Sequence, residues 1–125
     1  MKNLIIDAAN EKIIFSIIIE SQSYTTDYIN SRENFDNFMV LLLEFLKENK
    51  TKLKDFDNLF VNLGPGKFSG IRISISVAKG ISLANNIRLV GFTSKDLDGE
   101  NYEKILELDK KKLLIKDLIK PLYTS

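Results

Sequence analysis

The strongest constraint on the fold is a short apolar run that enters a glycine-rich loop and continues directly into a segment of helical periodicity. Residues 59–63 are typical of a buried strand, Gly64-Pro65-Gly66 follows at once, and the helical spacing extends from Ser69 to about Asn85. Strands joined in this way by helical crossovers pair in parallel. The junction therefore predicts an α/β layered domain.

Three strands are predicted before this junction. Residues 4–9 and 13–19 are apolar and rich in β-branched side chains, and Asn10-Glu11 separates them, which predicts an antiparallel hairpin. Residues 24–29 are more polar and predict a third strand near the edge of the sheet.

The remaining elements complete the predicted order. Residues 33–49 carry apolar side chains at helical spacing, over an arc wider than one core-facing stripe requires. Residues 87–92 predict a last strand. The sequence thus predicts a mixed sheet with the order β-β-β-α-β-α-β. Residues 102–120 fit a helix and a short hairpin equally well.

The composition limits the chemistry. The 125 residues suffice for one domain, and 18 basic against 17 acidic residues leave a net charge of +1, which does not by itself attract nucleic acid or a membrane. Histidine, cysteine and tryptophan are absent. This excludes Ser-His-Asp and Cys-His centres and the usual zinc ligands, so few catalytic options remain and any metal would have to be held by oxygen ligands. With no disulfides, and with Asp7 interrupting the N-terminal apolar run, we expect a cytoplasmic protein without a membrane segment.

The glycine loop supports two interpretations. Unpaired N–H groups at the start of a helix can bind an anion, and Arg72 adds a positive charge in the first turn. The spacing matches neither G-x-x-x-x-G-K-[ST] nor G-x-G-x-x-G, so a purely structural turn is favoured. The candidate anion-binding residues in this segment are Gly64, Gly66, Ser69, Gly70 and Arg72.

Asp7 is the remaining candidate for such a site. It follows the first predicted strand, where a carboxylate could hold hydrated Mg²⁺ near a phosphate. It could equally cap the turn that follows, and this second interpretation is favoured because no other carboxylate converges on it in the sequence.

The second predicted helix contains two rows of small side chains. One row is Ser74, Ala78 and Ser82, and the other is Ser76, Gly80 and Ala84. Small residues at this spacing allow another helix to pack closely, and we expect one row to face inward and one outward. Together with the wide apolar arc of residues 33–49, this predicts a partner surface that includes Phe35, Phe38, Met39, Leu42, Ser76, Lys79, Gly80 and Leu83.

Several segments together resemble a known family. Leu4-Ile5-Ile6-Asp7-Ala8-Ala9, Gly64-Pro65-Gly66-Lys67-Phe68-Ser69-Gly70-Ile71-Arg72, Ala78-Lys79-Gly80 and Leu89-Val90-Gly91-Phe92-Thr93-Ser94 are similar to segments of the TsaB (YeaZ) family, which is glycoprotease-like. The resemblance covers about residues 1–95, and Lys120-Pro121-Leu122-Tyr123 is similar to the family's C-terminal end.

The resemblance implies a single actin/Hsp70-like (ribonuclease H-like) lobe and a role in making N6-threonylcarbamoyladenosine (t6A) at position 37 of tRNA. It implies a non-catalytic partner that docks on the catalytic subunit TsaD and works with the ATPase TsaE. No cofactor is then expected in this chain, because ATP, Mg²⁺ and the catalytic metal belong to partner subunits. Two copies can also pair through the same helices, and tRNA is reached only through the complex.

The sequence departs from the family at three points. Lys67 replaces a small Ser, Ser69 replaces Thr, and residues 96–125 form a short tail where the family has a second lobe, which leaves residues 1–95 as the family-like lobe. The rival hypothesis is a small nucleotide- or phosphate-binding enzyme of the actin-like ATPase fold that uses Asp7, the loop of residues 64–70 and Arg72. A protease is set aside because metal ligands and a nucleophile–base pair are missing.

Overall fold

The computed structural model describes residues 1–97 and 99–114, which form a single sheet with helices on both faces. The strands are β1 (Lys2–Asp7), β2 (Lys12–Ile19), β3 (Gln22–Ile29), β4 (Asn58–Asn62) and β5 (Arg88–Phe92). Their order in the sheet is β3-β2-β1-β4-β5. The β1–β2 and β2–β3 pairs are antiparallel, whereas β1–β4 and β4–β5 are parallel. The predicted mixed sheet is therefore confirmed.

In the described residues, four α-helices and two short 3-10 helices (Leu53–Asp55 and Ser94–Asp96) connect and follow the strands, and one prediction about the α-helices is wrong. The α-helices are α1 (Arg32–Asp36), α2 (Phe38–Glu48), α3 (Phe68–Asn85) and α4 (Glu103–Lys110). The single helix predicted over residues 33–49 is interrupted at Asn37, whose Nδ2 donates to the carbonyl of Glu33 at 3.0 Å. Asparagine side chains compete with the backbone for such bonds, and this favours a break.

Successive side chains of a strand point to opposite faces of the sheet, so the apolar core is divided between the two faces. On one face, Leu4 and Ile6 of β1 lie beneath α2 and α3, and Phe15 of β2 meets the Phe38 ring edge-on at 5.3 Å between centroids. On the other face, Ile5 belongs to a second, smaller apolar cluster. Each of these five side chains is at most 2% exposed, so both faces of the sheet are buried.

The segment after β5 covers the second face. Tyr102 and Ile105 are buried in the second cluster, where the Tyr102 and Phe92 rings are 6.3 Å apart. Arg88 holds α4 by donating to both carboxylate oxygens of Asp109 at 2.9 and 2.7 Å, and this pairing raises the pKa of Arg88. The start of the predicted tail therefore docks on the lobe's own sheet.

The alternative between helix and hairpin for residues 102–120 is resolved only in part. Residues 103–110 are helical, and Lys110-Lys111-Lys112 lies exposed where this helix ends. Residues 115–120 and the family-like ending at residues 120–123 lie outside the described residues. None of the helices in residues 1–97 and 99–114 is long and apolar enough to cross a membrane.

Candidate functional site

The glycine loop packs against the β1–β2 turn of its own chain. A Cβ atom on Gly66 would lie 2.1 Å from the carbonyl oxygen of Ala9, and one on Gly70 would lie 1.9 Å from that of Ala8. The backbone N–H of Lys67 donates a hydrogen bond to the carbonyl oxygen of Ala9 at 2.7 Å. These glycines thus permit a close contact between two backbone segments, which agrees with the favoured interpretation of a structural turn.

Gly64 opens this turn in a backbone conformation that favours glycine. Its φ angle is 102°, and its N–H donates to Oδ1 of Asn62 at 2.8 Å. Its carbonyl accepts from the N–H of Ser94 at 2.9 Å, which joins the loop to the end of β5. Lys67, a departure from the family, forms an ion pair with Glu11 at 3.0 Å on the surface.

Asp7 is buried at the end of β1, and both of its carboxylate oxygens accept hydrogen bonds. Oδ1 accepts from the N–H of Ala9 at 3.2 Å and from Nδ2 of Asn62 at 3.0 Å, and Oδ2 accepts from Oη of Tyr102 at 2.8 Å. Burial raises the pKa of Asp7 above its ordinary value of 3.8, although these three hydrogen bonds oppose the rise. Burial and the Asp7 charge raise the pKa of Tyr102, so its phenol keeps the proton that it donates.

The structure does not bring the predicted anion-binding residues into one site. Asp7 lines a small cavity with Glu100 and Tyr102, whereas Ser69 and Arg72 line a separate groove. The guanidinium of Arg72 lies 5.7 Å from the centre of the Phe68 ring on the exposed side of α3. Within the described ranges, no three or more His, Cys, Asp or Glu side chains are grouped as a metal site would require.

The partners of Asp7 were missed by the sequence reasoning. Asn62 ends β4 immediately before the glycine loop, so its position at the same sheet edge as Asp7 was a usable signal. Tyr102 carries no such signal, because its contact with Asp7 spans 95 positions of the sequence.

Both α2 and α3 carry exposed apolar side chains, and Met39 of α2 and Gly80 of α3 line one groove. We name this surface the α2–α3 face. It is defined by exposed residues of the two helices: Met39, Val40, Leu43, Ser76, Lys79, Gly80, Leu83 and Ala84. Val40 is 53% exposed and Leu83 is 85% exposed. A groove of about 320 Å³ beside Gly80 is lined mostly by α3, with Met39 of α2 and Leu53 completing it.

Five of the eight predicted surface residues lie on this face, and Phe35, Phe38 and Leu42 do not. Met39, Ser76, Lys79, Gly80 and Leu83 are exposed, and Phe35 is half-buried. Phe38 and Leu42, at 2% and 0% exposure, belong to the core beneath α2. Their prediction as surface residues is corrected: with Phe45 and Leu46 they recur at helical spacing and form the one buried stripe of α2.

The two small-residue rows of α3 separate as expected. Ser74 and Ala78 are buried, whereas Ser76, Gly80 and Ala84 are exposed. A Cβ atom added to Gly80 would meet nothing within 4 Å in the described part of the chain. The outward row thus has no packing partner within the lobe at this point.

Comparison with known proteins places the chain in a family. The sequence profile of TsaD, tRNA N6-adenosine threonylcarbamoyltransferase, matches residues 12–98. The chain belongs to the TsaD family. It is 35% identical over 81 residues to the tRNA N6-adenosine threonylcarbamoyltransferase of Fusobacterium nucleatum, covering 65% of this chain and 23% of that protein. It is 27% identical over 94 residues to the tRNA threonylcarbamoyladenosine biosynthesis protein TsaB of Escherichia coli, covering 75% of this chain and 41% of that protein.

Solved structures show the same fold. The TsaD-family chain is similar to YeaZ from Pseudomonas aeruginosa, with a TM-score of 0.68 at 22% identity over 74% of this chain and 43% of that one. It is also similar in fold to RuvC of Thermus thermophilus, with a TM-score of 0.52 at 9% identity over 90% of this chain and 78% of that one. The resemblance to TsaB (YeaZ) is therefore confirmed. The chain spans less than half the length of the two curated relatives.

Proposed function

We propose that this chain is a non-catalytic partner subunit in the biosynthesis of t6A at position 37 of tRNA, and that it docks on a TsaD-like catalytic subunit through the α2–α3 face. The names of the TsaB relatives support the pathway. The observation that carries the docking surface is the exposed apolar face around Gly80. Large exposed apolar patches commonly mark protein interaction sites.

Gly80 supports close helix packing across this face. A glycine within a helix costs about 1 kcal/mol of stability relative to alanine. Inside the lobe nothing described occupies the space above Gly80, so its packing there does not offset this cost. A partner helix that approaches the backbone at Gly80 would offset it and would cover Met39 and Ala84, which line the same groove.

The proposal assigns the chemistry to other subunits. The chain contains no histidine, so it has none to hold a catalytic metal. ATP, Mg²⁺ and the catalytic metal would then be held by the TsaD-like subunit and a TsaE-like ATPase, and tRNA would be reached through the complex. The alternative is that a second copy of this chain binds the α2–α3 face and forms a homodimer.

A Gly80→Trp variant tests the docking surface. We expect it to weaken association with a co-expressed TsaD-like subunit by at least about tenfold, because the indole would hold the partner helix away from α3. The lobe should remain folded, since the space above Gly80 is open. Binding would be measured by titration and the mass of the complex by light scattering, which also separates a heterodimer from a homodimer.

Glu107→Trp is the matched control, because Glu107 is exposed on α4 at the opposite face of the sheet. It should leave the association unchanged. Equal binding by wild type and Gly80→Trp would show that docking does not use the α2–α3 face. Equal weakening by both variants would show that added bulk, and not its position, is responsible.

The rival nucleotide-binding hypothesis has its own prediction. Tyr102 and Asn62 occupy the oxygens of Asp7, and Arg72 lines a different groove, so we expect no binding heat when ATP and Mg²⁺ are titrated into the isolated chain. Calorimetry measures this directly. Saturable heat that disappears in an Arg72→Gln variant would favour the rival.

A further inference from the structure

A larger pocket, of about 570 Å³, lies where α2 ends and the chain turns toward β4. Four lysines line it, and we name it the basic pocket: Lys47, Lys50, Lys52 and Lys54. All four lysines are exposed. The apolar part of its lining consists of Leu43, Leu46 and Leu53.

The described lining of the basic pocket carries a net positive charge. None of its four lysines forms a salt bridge with another residue that the structure describes. Asp55 is the one acidic residue among the described lining residues, and its Oδ2 already accepts from the backbone N–H of Lys52 at 2.9 Å. Because the whole chain has a net charge of only +1, this concentration of charge is local.

The chemistry of the lining indicates the kind of ligand. Lysine ammonium groups attract carboxylates and phosphates alike. The described lining contains neither arginine for bidentate phosphate contacts nor an aromatic ring for base stacking. It does contain leucine side chains, which gain by contact with apolar groups. An acidic peptide with apolar side chains fits this combination better than a nucleic acid backbone does.

The basic pocket is continuous with the α2–α3 face. Leu53 and Asn85 line both the basic pocket and the groove beside Gly80. A partner segment that covers Gly80 can therefore continue into the basic pocket without leaving the surface. We propose that the basic pocket binds a segment of the partner protein in which Asp or Glu alternates with apolar residues. This inference rests on the proposed function for the identity of that partner, while its chemistry rests on the pocket alone.

The pocket is tested with a fluorescein-labelled peptide of alternating Glu and Leu, added to the full chain. We expect saturable binding that weakens by about tenfold or more in the double variant Lys47→Glu/Lys54→Glu and that falls as salt rises from roughly 50 to 400 mM. The matched control, Lys110→Glu/Lys111→Glu, changes the net charge equally at the end of α4 and should bind as wild type does. Thermal unfolding verifies that each variant is folded.

Two further ligands test whether binding depends on the carboxylates of the peptide and whether the pocket prefers a phosphate backbone. A Gln/Leu peptide should bind at least about tenfold more weakly than the Glu/Leu peptide, because it lacks the carboxylates. The proposal is overturned if the Glu/Leu peptide does not saturate or binds the Lys47→Glu/Lys54→Glu variant equally well. It is also overturned if a single-stranded RNA oligonucleotide binds more tightly than the peptide and depends on the same lysines.

The TsaD-like subunit provides the last comparison. Displacement of the bound peptide by that subunit supports both proposals. If the peptide binds as expected while the TsaD-like subunit does not bind at all, the proposed function fails and the basic pocket stands. If the subunit binds wild type and the lysine variant equally at every salt concentration, the proposed function stands and the basic pocket is not part of its interface.

Discussion

Gly70→Ala should lower the free energy of unfolding by about 3 kcal/mol, whereas Gly80→Ala, ten residues later in the same helix, should raise it by about 1 kcal/mol. The two substitutions are chemically identical. At Gly70 the new methyl group would lie 1.9 Å from the carbonyl oxygen of Ala8, a backbone atom that can move only if the β1–β2 turn moves. At Gly80 it enters open space, and the gain in helix propensity remains.

Urea denaturation followed by circular dichroism at neutral pH measures both changes. A Gly66→Ala variant serves as a second test of the loop, because its Cβ would lie 2.1 Å from the carbonyl oxygen of Ala9, and it should be destabilised to a similar extent. If Gly70→Ala were as stable as wild type, the close packing of the loop against the hairpin would be wrong. If Gly80→Ala were destabilised, the space above Gly80 would be filled within the chain.

The sequence was sufficient to predict the sheet, because its signals are local. The apolar runs and the short joint at Asn10-Glu11 determine the β1–β2 hairpin, and the strand–glycine–helix junction determines the parallel β4–β5 pair. The break at Asn37 was missed because the apolar spacing of residues 33–49 continues across it, and a side chain to backbone bond decides the outcome.

The site was less predictable, because its contacts join distant parts of the chain. From the sequence, Asp7 and Arg72 are both candidates for binding a phosphate. In the structure, Asp7 lines a small cavity and Arg72 lines a separate groove. One hydrogen-bond partner of Asp7 is Tyr102. It lies in the C-terminal tail, where the sequence patterns did not distinguish a helix from a hairpin. Small-residue spacing on α3, a local signal, did identify the outward row that contains Gly80.

The buried Asp7–Tyr102 pair leads to the second large expected effect. Tyr102→Phe removes the hydroxyl that donates to Oδ2 of Asp7 and should lower the free energy of unfolding at pH 7 by about 2 kcal/mol, because a buried carboxylate oxygen loses its partner. In an Asp7→Asn background the same change should cost less, since a neutral amide is easier to leave unpaired. A double-mutant cycle of unfolding free energies measures this coupling.

The dependence on pH distinguishes the buried charge of Asp7 from simple packing. Because burial raises the pKa of Asp7 above 3.8, the unfolded chain releases this proton at lower pH than the folded chain does. The Asp7 contribution is therefore most favourable below pH 3.8 and is lost as pH rises through the folded-state pKa, by about 1.4 kcal/mol for each unit of the shift. Asp7→Asn should remove that loss and make the chain more stable than wild type at pH 7.

The difference between the wild-type and Asp7→Asn unfolding curves, measured from about pH 4 to pH 7, isolates this contribution because all other titrating groups are shared. Tyr102→Phe should move the loss to higher pH, since the hydrogen bond from Tyr102 lowers the pKa of Asp7 and its removal lets that pKa rise further. A difference curve that is flat with pH would mean that Asp7 is not buried as a carboxylate. A curve that moves with Asp7→Asn but not with Tyr102→Phe would mean that the tail does not reach the end of β1 in solution.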